Sequence, residues 1–323
     1  MRKYSVFIGN VGSCMDRYCE AYAKKFSIEE LFERVKSIPL LSAVDLVLTE
    51  EFKENSDIVY KCIERTGLKI ASVAVDTFAN PIYQQGSLSS INKKIRQQAI
   101  DDSKFAVDFA KRVDCKIVTL WPGQDGYDYL FQADYIKERQ LFSEAFKEIC
   151  DYDKNVDITL EYKIKEPRTH LYISTVGATL LMINSIGCEN AGIALDYGHA
   201  ALGYETPAEA VAMCKMYGDR LKHIHINDNY RLWDDDMIVG TVHTHEYLEF
   251  IYWLRKTGYS GYITLDQFPY REDGRDAVEE SAKWLDRLER IIDEADFDEI
   301  ESVLKKKNAV ESSKLMRKLL LGD

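Results

Sequence analysis

The chain has 323 residues, of which 46% are hydrophobic and 30% charged, enough for a large buried core with a solvated surface. Its 54 acidic residues against 42 Lys and Arg give a net charge of −12, which argues against nucleic acid or an anionic membrane as the main partner. No apolar run is long enough for a membrane span, and the N-terminus lacks a signal-peptide pattern. The seven cysteines are scattered without CxxC spacing. We therefore expect a cytoplasmic protein without a disulfide framework.

Short apolar runs rich in β-branched residues alternate eight times with stretches of helical periodicity. This pattern predicts a parallel (β/α)8 barrel of the TIM-barrel type in the α/β class, and GNVGSC after the first run is a poor match to the phosphate loop of a doubly wound sheet. We assign residues 1–292 to the barrel. The predicted strands are YSVFIG from Tyr4, SAVDLVL from Ser42, KIASVAV from Lys69, KIVTLW from Lys116, DITLEY from Asp157, GIALDYG from Gly192, KHIHIND from Lys222 and YITLDQF from Tyr262.

Helical segments are visible between these runs and after the last one. Thr206-Pro207 is typical of a helix start, with Thr as the cap. Residues 293–323 carry an apolar stripe in a charged context and predict a C-terminal helical extension that packs on the barrel or on another subunit. A stripe at helical spacing lies after the third run and consists of Ile91, Ile95, Ala99, Ala106, Ala110 and Val113.

Acidic and imidazole side chains stand at the ends of the last four predicted strands. In a βα barrel the reactive groups come from the carboxyl ends of the strands, which all meet at one rim. Carboxylates crowded there would repel one another unless a cation neutralised them, and mixed oxygen and imidazole ligands suit Mg²⁺, Mn²⁺ or Co²⁺. The residues that we predict to hold this cation are Glu161, Asp196, His225 and Asp266.

The seventh run contains the pattern His223-Ile-His225. We expect strand alternation to send only one of the two imidazoles into the barrel, and we choose His225 because it lies nearer the carboxyl end. His223 is then expected to pack against the surrounding helices.

Further polar residues follow strands five to seven. Asp234 and Asp236 could form a second cation site, although a solvated acidic turn is the alternative. Lys163 points to the same side as Glu161 in an extended strand. Its ammonium could therefore contact a substrate oxygen or pair with a rim carboxylate.

These segments resemble the xylose isomerase-like superfamily of barrels, which includes sugar isomerases and epimerases, over roughly Ser5 to Leu285. Glu161-Tyr162-Lys163 is similar to the family's Glu-x-Lys, and Asp196-x-x-His199 to its acid-x-x-His pair. His225 followed by Asp234-Asp235-Asp236 resembles the form in L-rhamnose isomerase, a two-metal enzyme, and Asp266 stands at the last carboxylate ligand. The resemblance implies that Asp196 bridges two metals, the second of which is held by His199, Asp234 and Asp236.

Two aromatic segments resemble the substrate pocket of the family. Trp121-Pro-Gly-Gln-Asp-Gly-Tyr and Phe78-Ala-Asn-Pro-Ile-Tyr imply that Trp121 and Phe78 contact the substrate. Xylose isomerases carry His-x-x-Asp after strand two for sugar-ring opening, whereas this chain has Thr49-Glu50-Glu51-Phe52. Ring opening would then use another group such as Glu50, or the sugar would arrive in its open form.

The resemblance implies a metal-dependent sugar isomerase that interconverts an aldose and a ketose, with Mn²⁺ expected and Mg²⁺ or Co²⁺ as alternatives. The implied catalytic residues are Glu161, Lys163, His199 and Asp266. No basic cluster marks a phosphate site, and among the candidates Arg168, Arg231 and Arg271 we take Arg231 as a substrate-binding residue. We expect a homo-oligomer with a small-molecule sugar substrate.

Several alternatives stay open. A one-metal sugar epimerase would use Glu161 and Asp266 as its acid and base. A C-glycoside-cleaving lyase of the same superfamily would work with a small partner subunit, and an idle barrel would bind sugar or protein without metal. An endonuclease of the superfamily is disfavoured by the acidic charge and the six histidines.

Overall fold

This computed structural model describes residues 3–15 and 22–322, and they form a closed barrel of eight parallel strands surrounded by helices. Each strand pairs with the next one along the chain, and the last pairs with the first. The predicted fold is confirmed, because every predicted run supplies one strand. The strands are β1 (Tyr4–Phe7), β2 (Leu41–Leu48), β3 (Lys69–Val75), β4 (Ile117–Leu120), β5 (Asp157–Glu161), β6 (Ala191–Asp196), β7 (Leu221–Ile226) and β8 (Ile263–Leu265).

Helices pack around the outside of the barrel and continue beyond β8. A small antiparallel ribbon, Gly126–Tyr127 with His170–Leu171, ties the loop after β4 to the loop after β5. Short 3₁₀ turns cover Ile8–Val11 and Pro81–Tyr83. The α-helices are α1 (Ile28–Lys36), α2 (Glu50–Glu54), α3 (Ser56–Thr66), α4 (Lys93–Arg112), α5 (Tyr135–Tyr152), α6 (Val176–Ile186), α7 (Tyr197–Leu202), α8 (Pro207–Met216), α9 (Thr244–Thr257), α10 (Gly274–Asp293), α11 (Phe297–Lys306) and α12 (Ala309–Leu321).

The predicted helical patterns are found with one difference. Thr206 takes the N-cap position of α8 and Pro207 its first turn, although the Thr206 side chain makes no cap hydrogen bond. In α4 the predicted stripe faces the core through Ala99, Ala106 and Ala110. Ile91 precedes this helix and is 76% exposed, so the apolar pattern extended the stripe too far.

A layer of polar side chains fills the barrel interior below its carboxyl end. Asp45 on β2 and His223 on β7 are both fully buried, and the His223 Nε2 atom lies 2.7 Å from Asp45 Oδ2. The Thr264 hydroxyl donates to the other Asp45 oxygen at 2.9 Å. Because every strand contributes inward-facing side chains, this layer packs beneath the side chains at the carboxyl end of the barrel.

The C-terminal residues form two helices that pack on the outside of the barrel. Ile300 and Val303 of α11 are buried, and Phe297 contacts Tyr252 of α9 edge to face with 5.3 Å between ring centroids. Lys318 of α12 pairs with Glu299 at 2.8 Å. The apolar stripe of this segment is therefore used, at least in part, against the chain's own barrel.

Two composition-based expectations can be compared with the structure. The six described cysteines are buried free thiols, whereas Cys19 lies outside the described residues. Among the described helices, none combines the length and the apolar character needed to cross a lipid bilayer.

Candidate active site and metal centre

The carboxyl ends of the strands surround a cavity of about 380 Å³. Carboxylates, an imidazole and an ammonium group from the loops after β5 to β8 line one side, and mainly apolar side chains from β1 to β4 line the other. The polar lining residues are Asn10, Thr49, Glu161, Lys163, His199, Asp234, Asp236 and Asp266. This is the position where TIM barrels build their reactive sites.

Four predicted ligands converge at the base of this cavity. Glu161 ends β5, Asp196 ends β6, His225 lies on β7 and Asp266 follows β8. Each offers one ligand atom, and these four atoms all lie within 4.8 Å of one another. The His225 Nδ1 atom is 3.2 Å from Glu161 Oε1 and 3.8 Å from Asp266 Oδ2. The sequence prediction that these four side chains meet is therefore matched by the geometry.

Crowding of like charges changes the proton affinity of the group. Burial, and then the charges of Glu161 and Asp196, raise the pKa of Asp266 to about 8 against the opposing charge of His225. Burial also raises the pKa of Asp196. Burial alone would raise the pKa of Glu161, but the charges of His225 and His199 hold it below its ordinary value. Without a cation, the cluster must therefore hold shared protons.

The donor set fits a divalent cation. Burial opposes a charge on His225, yet the carboxylates around it, first Glu161, raise the pKa of its imidazole well above the ordinary value. Among the described residues, neither ring nitrogen of this buried imidazole has a partner with hydrogen-bond geometry. Buried polar atoms without partners are rare and are frequently explained by an ion. Three carboxylates with one imidazole are ligands that Mn²⁺ and similar cations accept.

Local structure holds Asp196 in place. As the N-cap of α7 it accepts a hydrogen bond from the His199 backbone N–H at 2.7 Å. The Asn227 amide donates to Asp196 Oδ2 at 3.2 Å and to the Asp266 carbonyl at 3.2 Å. Gly198 is required here, because a Cβ at this position would lie 1.9 Å from Asn227 Oδ1.

The residues predicted to hold a second cation, His199, Asp234 and Asp236, converge less closely than the first four. His199 Nε2 lies 3.2 Å from Asp234 Oδ2, but the Lys163 ammonium lies 2.6 Å from the same oxygen. Among the described residues, His199, Asp234 and Asp236 do not form a group whose ligand atoms share the 4.8 Å spacing. Burial, and then the charge of Asp234, raise the pKa of Asp236 well above its ordinary value.

Lys163 is a buried cation between carboxylates and an aromatic ring. Burial opposes its charge, but the negative charges of Asp234, Asp236 and Glu166 raise the pKa of its amine above the ordinary value. Its Nζ atom lies 5.1 Å from the Trp121 ring centroid. The Trp121 ring in turn contacts Phe78 with 4.7 Å between centroids. Both predicted aromatic residues thus line the cavity with Lys163.

Two predicted substrate contacts are absent from the cavity. The Arg231 guanidinium pairs with Glu246 and donates to His243 Nε2, and neither it nor Arg168 or Arg271 lines the cavity that the described residues form. Glu50, the suggested ring-opening group, is exposed on α2 and pairs with Lys53 at 3.1 Å. The structure therefore brings neither Arg231 nor Glu50 into the cavity, because the sequence patterns after the strands do not determine the direction of these side chains.

The expectation for His223 was wrong. His223 and His225 are two residues apart, so the pleat sends both side chains to the same face, and their rings meet at 4.9 Å inside the barrel. Asp45, which no sequence motif indicated, lies 2.7 Å from His223 Nε2 and 3.6 Å from His225 Nε2. The available signal was a single acid inside the apolar run SAVDLVL, because a buried carboxylate needs a partner.

Comparison with known proteins places this geometry in a family. Residues 45–288 match the family model described as a xylose isomerase-like TIM barrel. The chain therefore belongs to the xylose isomerase-like TIM barrel family, as the motif resemblance predicted.

The individual relatives have low sequence identity to this chain. The xylose isomerase of Thermus thermophilus is 26% identical over 242 residues, which are 72% of this chain and 62% of the relative. The chain thus matches about three fifths of the length of that enzyme. Among solved structures, a D-tagatose 3-epimerase-like protein superposes with a TM-score of 0.69 at 20% identity, covering 90% of this chain and 99% of the other. The D-psicose 3-epimerase of Clostridium cellulolyticum H10 has the same TM-score and coverage at 15% identity. At these identities the structural likeness supports the fold.

Metal affinity is expected to depend on pH. A cation must displace the protons held by Asp266, whose pKa is about 8, and by His225, so Mn²⁺ affinity should rise from pH 6 to pH 8. Each displaced proton should contribute about tenfold per pH unit below the pKa. Calorimetry in buffers of different ionisation heat counts these protons. An affinity that is constant across this range would contradict the prediction, and Asp266→Asn should release fewer protons.

Asp45 is expected to orient His225. Replacing it by Asn keeps its shape but removes the negative charge beside both imidazoles, and such outer partners typically contribute 10- to 100-fold to metal affinity. We therefore expect Asp45→Asn to weaken Mn²⁺ binding by about this factor in calorimetry. Asp157→Asn, at the first residue of β5, is the matched control and should bind as the unmodified protein does. Equal affinity in both variants would remove Asp45 from the account.

Proposed function

We propose that the protein is a divalent-metal-dependent sugar isomerase that interconverts an aldose and a ketose. The observation that carries the proposal is the convergence of Glu161, Asp196, His225 and Asp266 at the base of a cavity that Lys163 also lines. Membership of the xylose isomerase-like family and the identity to a xylose isomerase support a sugar as the substrate.

The four converging side chains would hold the first cation, for which we propose Mn²⁺ with Mg²⁺ or Co²⁺ as alternatives. When bound, a divalent cation supplies Lewis acidity toward neighbouring sugar oxygens and lowers the pKa of a hydroxyl. A second cation would require His199, Asp234 and Asp236, with Asp196 shared between the two.

Lys163 is proposed to hold a sugar oxygen during the reaction. Its amine stays charged because Asp234 and Glu166 lie 2.6 and 3.1 Å away, and these contacts also fix its direction. A fixed ammonium group in a water-poor cavity stabilises negative charge that develops on oxygen. Glu166 and Asp234 would therefore act on the substrate through Lys163.

The remaining cavity residues would transfer protons and exclude water from the reacting carbons. The carboxylates of Glu161 and Asp266 reach the cavity from the end of β5 and from the residue after β8, and they would accept or return the hydroxyl proton while hydrogen moves between C1 and C2. Burial disfavours a charge on His199, but the charges of Asp196 and Asp234 raise the pKa of its imidazole to about 9, so without a second cation it would be a proton donor at neutral pH. Trp121 and Phe78 would exclude water from the reacting carbons.

One observation favours a second candidate, a sugar epimerase with a single cation. Of the two predicted ligand sets, only the first shares a common spacing among the described residues, and the Lys163 ammonium lies 2.6 Å from Asp234 Oδ2, where it would compete with a second cation. Glu161 and Asp266 would then act as opposed acid and base on one sugar carbon.

Product analysis tests the proposal directly. Protein supplied with Mn²⁺ is incubated with a panel of pentoses and hexoses, including 6-deoxy and 6-O-alkyl derivatives, and the products are identified by NMR. We expect an aldose and its ketose to interconvert, and removal of the metal by a chelator to abolish the reaction. A ketose converted only to its epimer would favour the second candidate, and no conversion of any member would reject the proposal.

Metal counting separates the two candidates. In Asp234→Asn combined with Asp236→Asn, the isomerase proposal expects the stoichiometry to fall from two ions to one and turnover to fall about 100-fold or more. The control is Asp235→Asn, because this carboxylate accepts the Tyr230 backbone N–H and does not line the cavity. One ion in the unmodified protein that is retained in the double variant would favour the epimerase.

A further inference from the structure

Three connections at the carboxyl end of the barrel meet at one buried carboxylate. Asp125, in the loop after β4, is 1% exposed and does not line the cavity. Its Oδ1 atom accepts the backbone N–H of Ser87 at 3.0 Å and of Ser89 at 2.6 Å, and its Oδ2 atom accepts the Ser87 hydroxyl. Both serines belong to the loop after β3. The Asp125 carbonyl accepts the Tyr172 backbone N–H at 3.1 Å, from the segment between β5 and α6.

Each of the three connections also supplies a side chain to the cavity. These side chains are Phe78 after β3, Trp121 after β4 and Lys163 after β5. Gln124, the neighbour of Asp125, donates its side-chain amide to the Phe78 carbonyl at 2.8 Å. The loop that carries Asp125 therefore holds the backbone of Phe78 as well as that of the two serines.

The link from Asp125 to Lys163 runs through the backbone. Asp125 binds the N–H of Tyr172, and the next residue, Ile173, accepts the Lys163 backbone N–H at 3.2 Å. These two hydrogen bonds hold the start of the segment after β5 against the loop after β4. The position of the Lys163 main chain thus depends on the same residue as the loop after β3.

Hydrogen bonds alone compensate the burial of this carboxylate. Burial raises the pKa of Asp125, and the bonds from Ser87 and Ser89 oppose this effect. Among the described residues, no basic side chain forms an ion pair with it, so these bonds replace the lost water. Gly86 lets the loop close tightly, because its φ is +100° and a Cβ there would lie 3.0 Å from Ser89 Oγ. Outer hydrogen bonds of this kind hold the residues of a binding site in a definite geometry.

We propose that Asp125 is a positioning residue that fixes Trp121 and Lys163 against the substrate without contacting it. The inference rests on the proposed function, because it takes Lys163 as the contact of a sugar oxygen and Trp121 as a shield against water. A displacement of about 1 Å at such contacts can reduce turnover by about 100-fold. An acid that only stabilised the loops would change the melting temperature and leave the kinetics of the folded protein as they are.

Steady-state kinetics of folded variants test this inference. Asp125→Ala leaves two backbone N–H groups without an acceptor and should lower kcat by about 10- to 100-fold, with an unchanged Mn²⁺ affinity. The substrate is the aldose that the Mn²⁺-supplied, unmodified protein converts fastest. Asp125→Asn keeps an oxygen for both N–H groups, and its amide can donate to the Ser87 hydroxyl, so it should retain most of the turnover. An unchanged kcat in Asp125→Ala would overturn the inference.

A buried polar residue at the other end of the barrel provides the matched control. Asn190 precedes β6, is 6% exposed and donates to the carbonyls of Cys150 and Val156 at 3.0 Å each. Asn190→Ala should lower the melting temperature and leave kcat unchanged. If kcat falls in both variants in proportion to the melting temperature, the effect is general destabilisation and the inference is overturned.

A milder variant covers the case in which Asp125→Ala does not fold. Ser87→Ala removes only the hydroxyl contact with Oδ2 and leaves both N–H bonds to Oδ1 in place. It should lower kcat in the same direction but by less. If Asp125→Ala does not fold, an unchanged kcat in Ser87→Ala overturns the inference.

A measurement that needs no sugar separates this inference from the proposed function. Protein labelled with fluorotryptophan gives one fluorine NMR resonance for each of its four tryptophans, and the resonance lost in Trp121→Phe is that of Trp121. We expect Asp125→Ala to shift this resonance and Asn190→Ala to leave it in place. If the protein converts no sugar, the isomerase proposal is rejected, whereas a shift would still support Asp125 as the residue that positions Trp121. A resonance that does not move would overturn the inference.

Discussion

Three buried or half-buried carboxylates, Glu161, Asp196 and Asp266, meet beside His225 at the end of the barrel, and their mutual repulsion must be balanced. Burial removes the water that would screen these charges and raises the pKa of Asp266 to about 8. The surrounding carboxylates, first Glu161, raise the pKa of His225 well above its ordinary value, although burial opposes its charge. A divalent cation would relieve this repulsion at once. The raised pKa of Asp266 and the proposed capacity of the group to bind a cation therefore both follow from the repulsion between the three carboxylates.

The rest of the barrel end can be understood as support for this group. Asp45 and His223 form a buried pair at 2.7 Å directly below His225, and Asn227 bridges Asp196 and the backbone of Asp266. Lys163 neutralises Asp234 on the adjoining side of the cavity. Because the ligands lie within or directly after four different strands, the closed sheet holds their separations, as precise ligand geometry requires.

Sequence reasoning found the strands and the four converging ligands because both depend on regular features. Parallel strands give apolar runs, and their carboxyl ends share one rim, so Glu161 and Asp266 could be brought together without coordinates. It did not determine side-chain directions beyond the strand ends, as for Arg231 and Glu50, and it was wrong for His223, where side chains two residues apart face the same way. The Lys163–Asp234 contact joins residues far apart in sequence, and no local pattern could have distinguished it from a second cation site.

The cavity adjoins the proposed cation site, so its lining bears on which substrate can bind. Polar groups after β5 to β8 suit the oxygens of a sugar. This account depends first on one cation being shared by four side chains. Anomalous diffraction from a crystal soaked in Mn²⁺ measures this most directly. The account predicts an anomalous peak within coordination distance of Glu161, Asp196, His225 and Asp266. A crystal whose Mn²⁺ lies elsewhere, or that binds none, would contradict it.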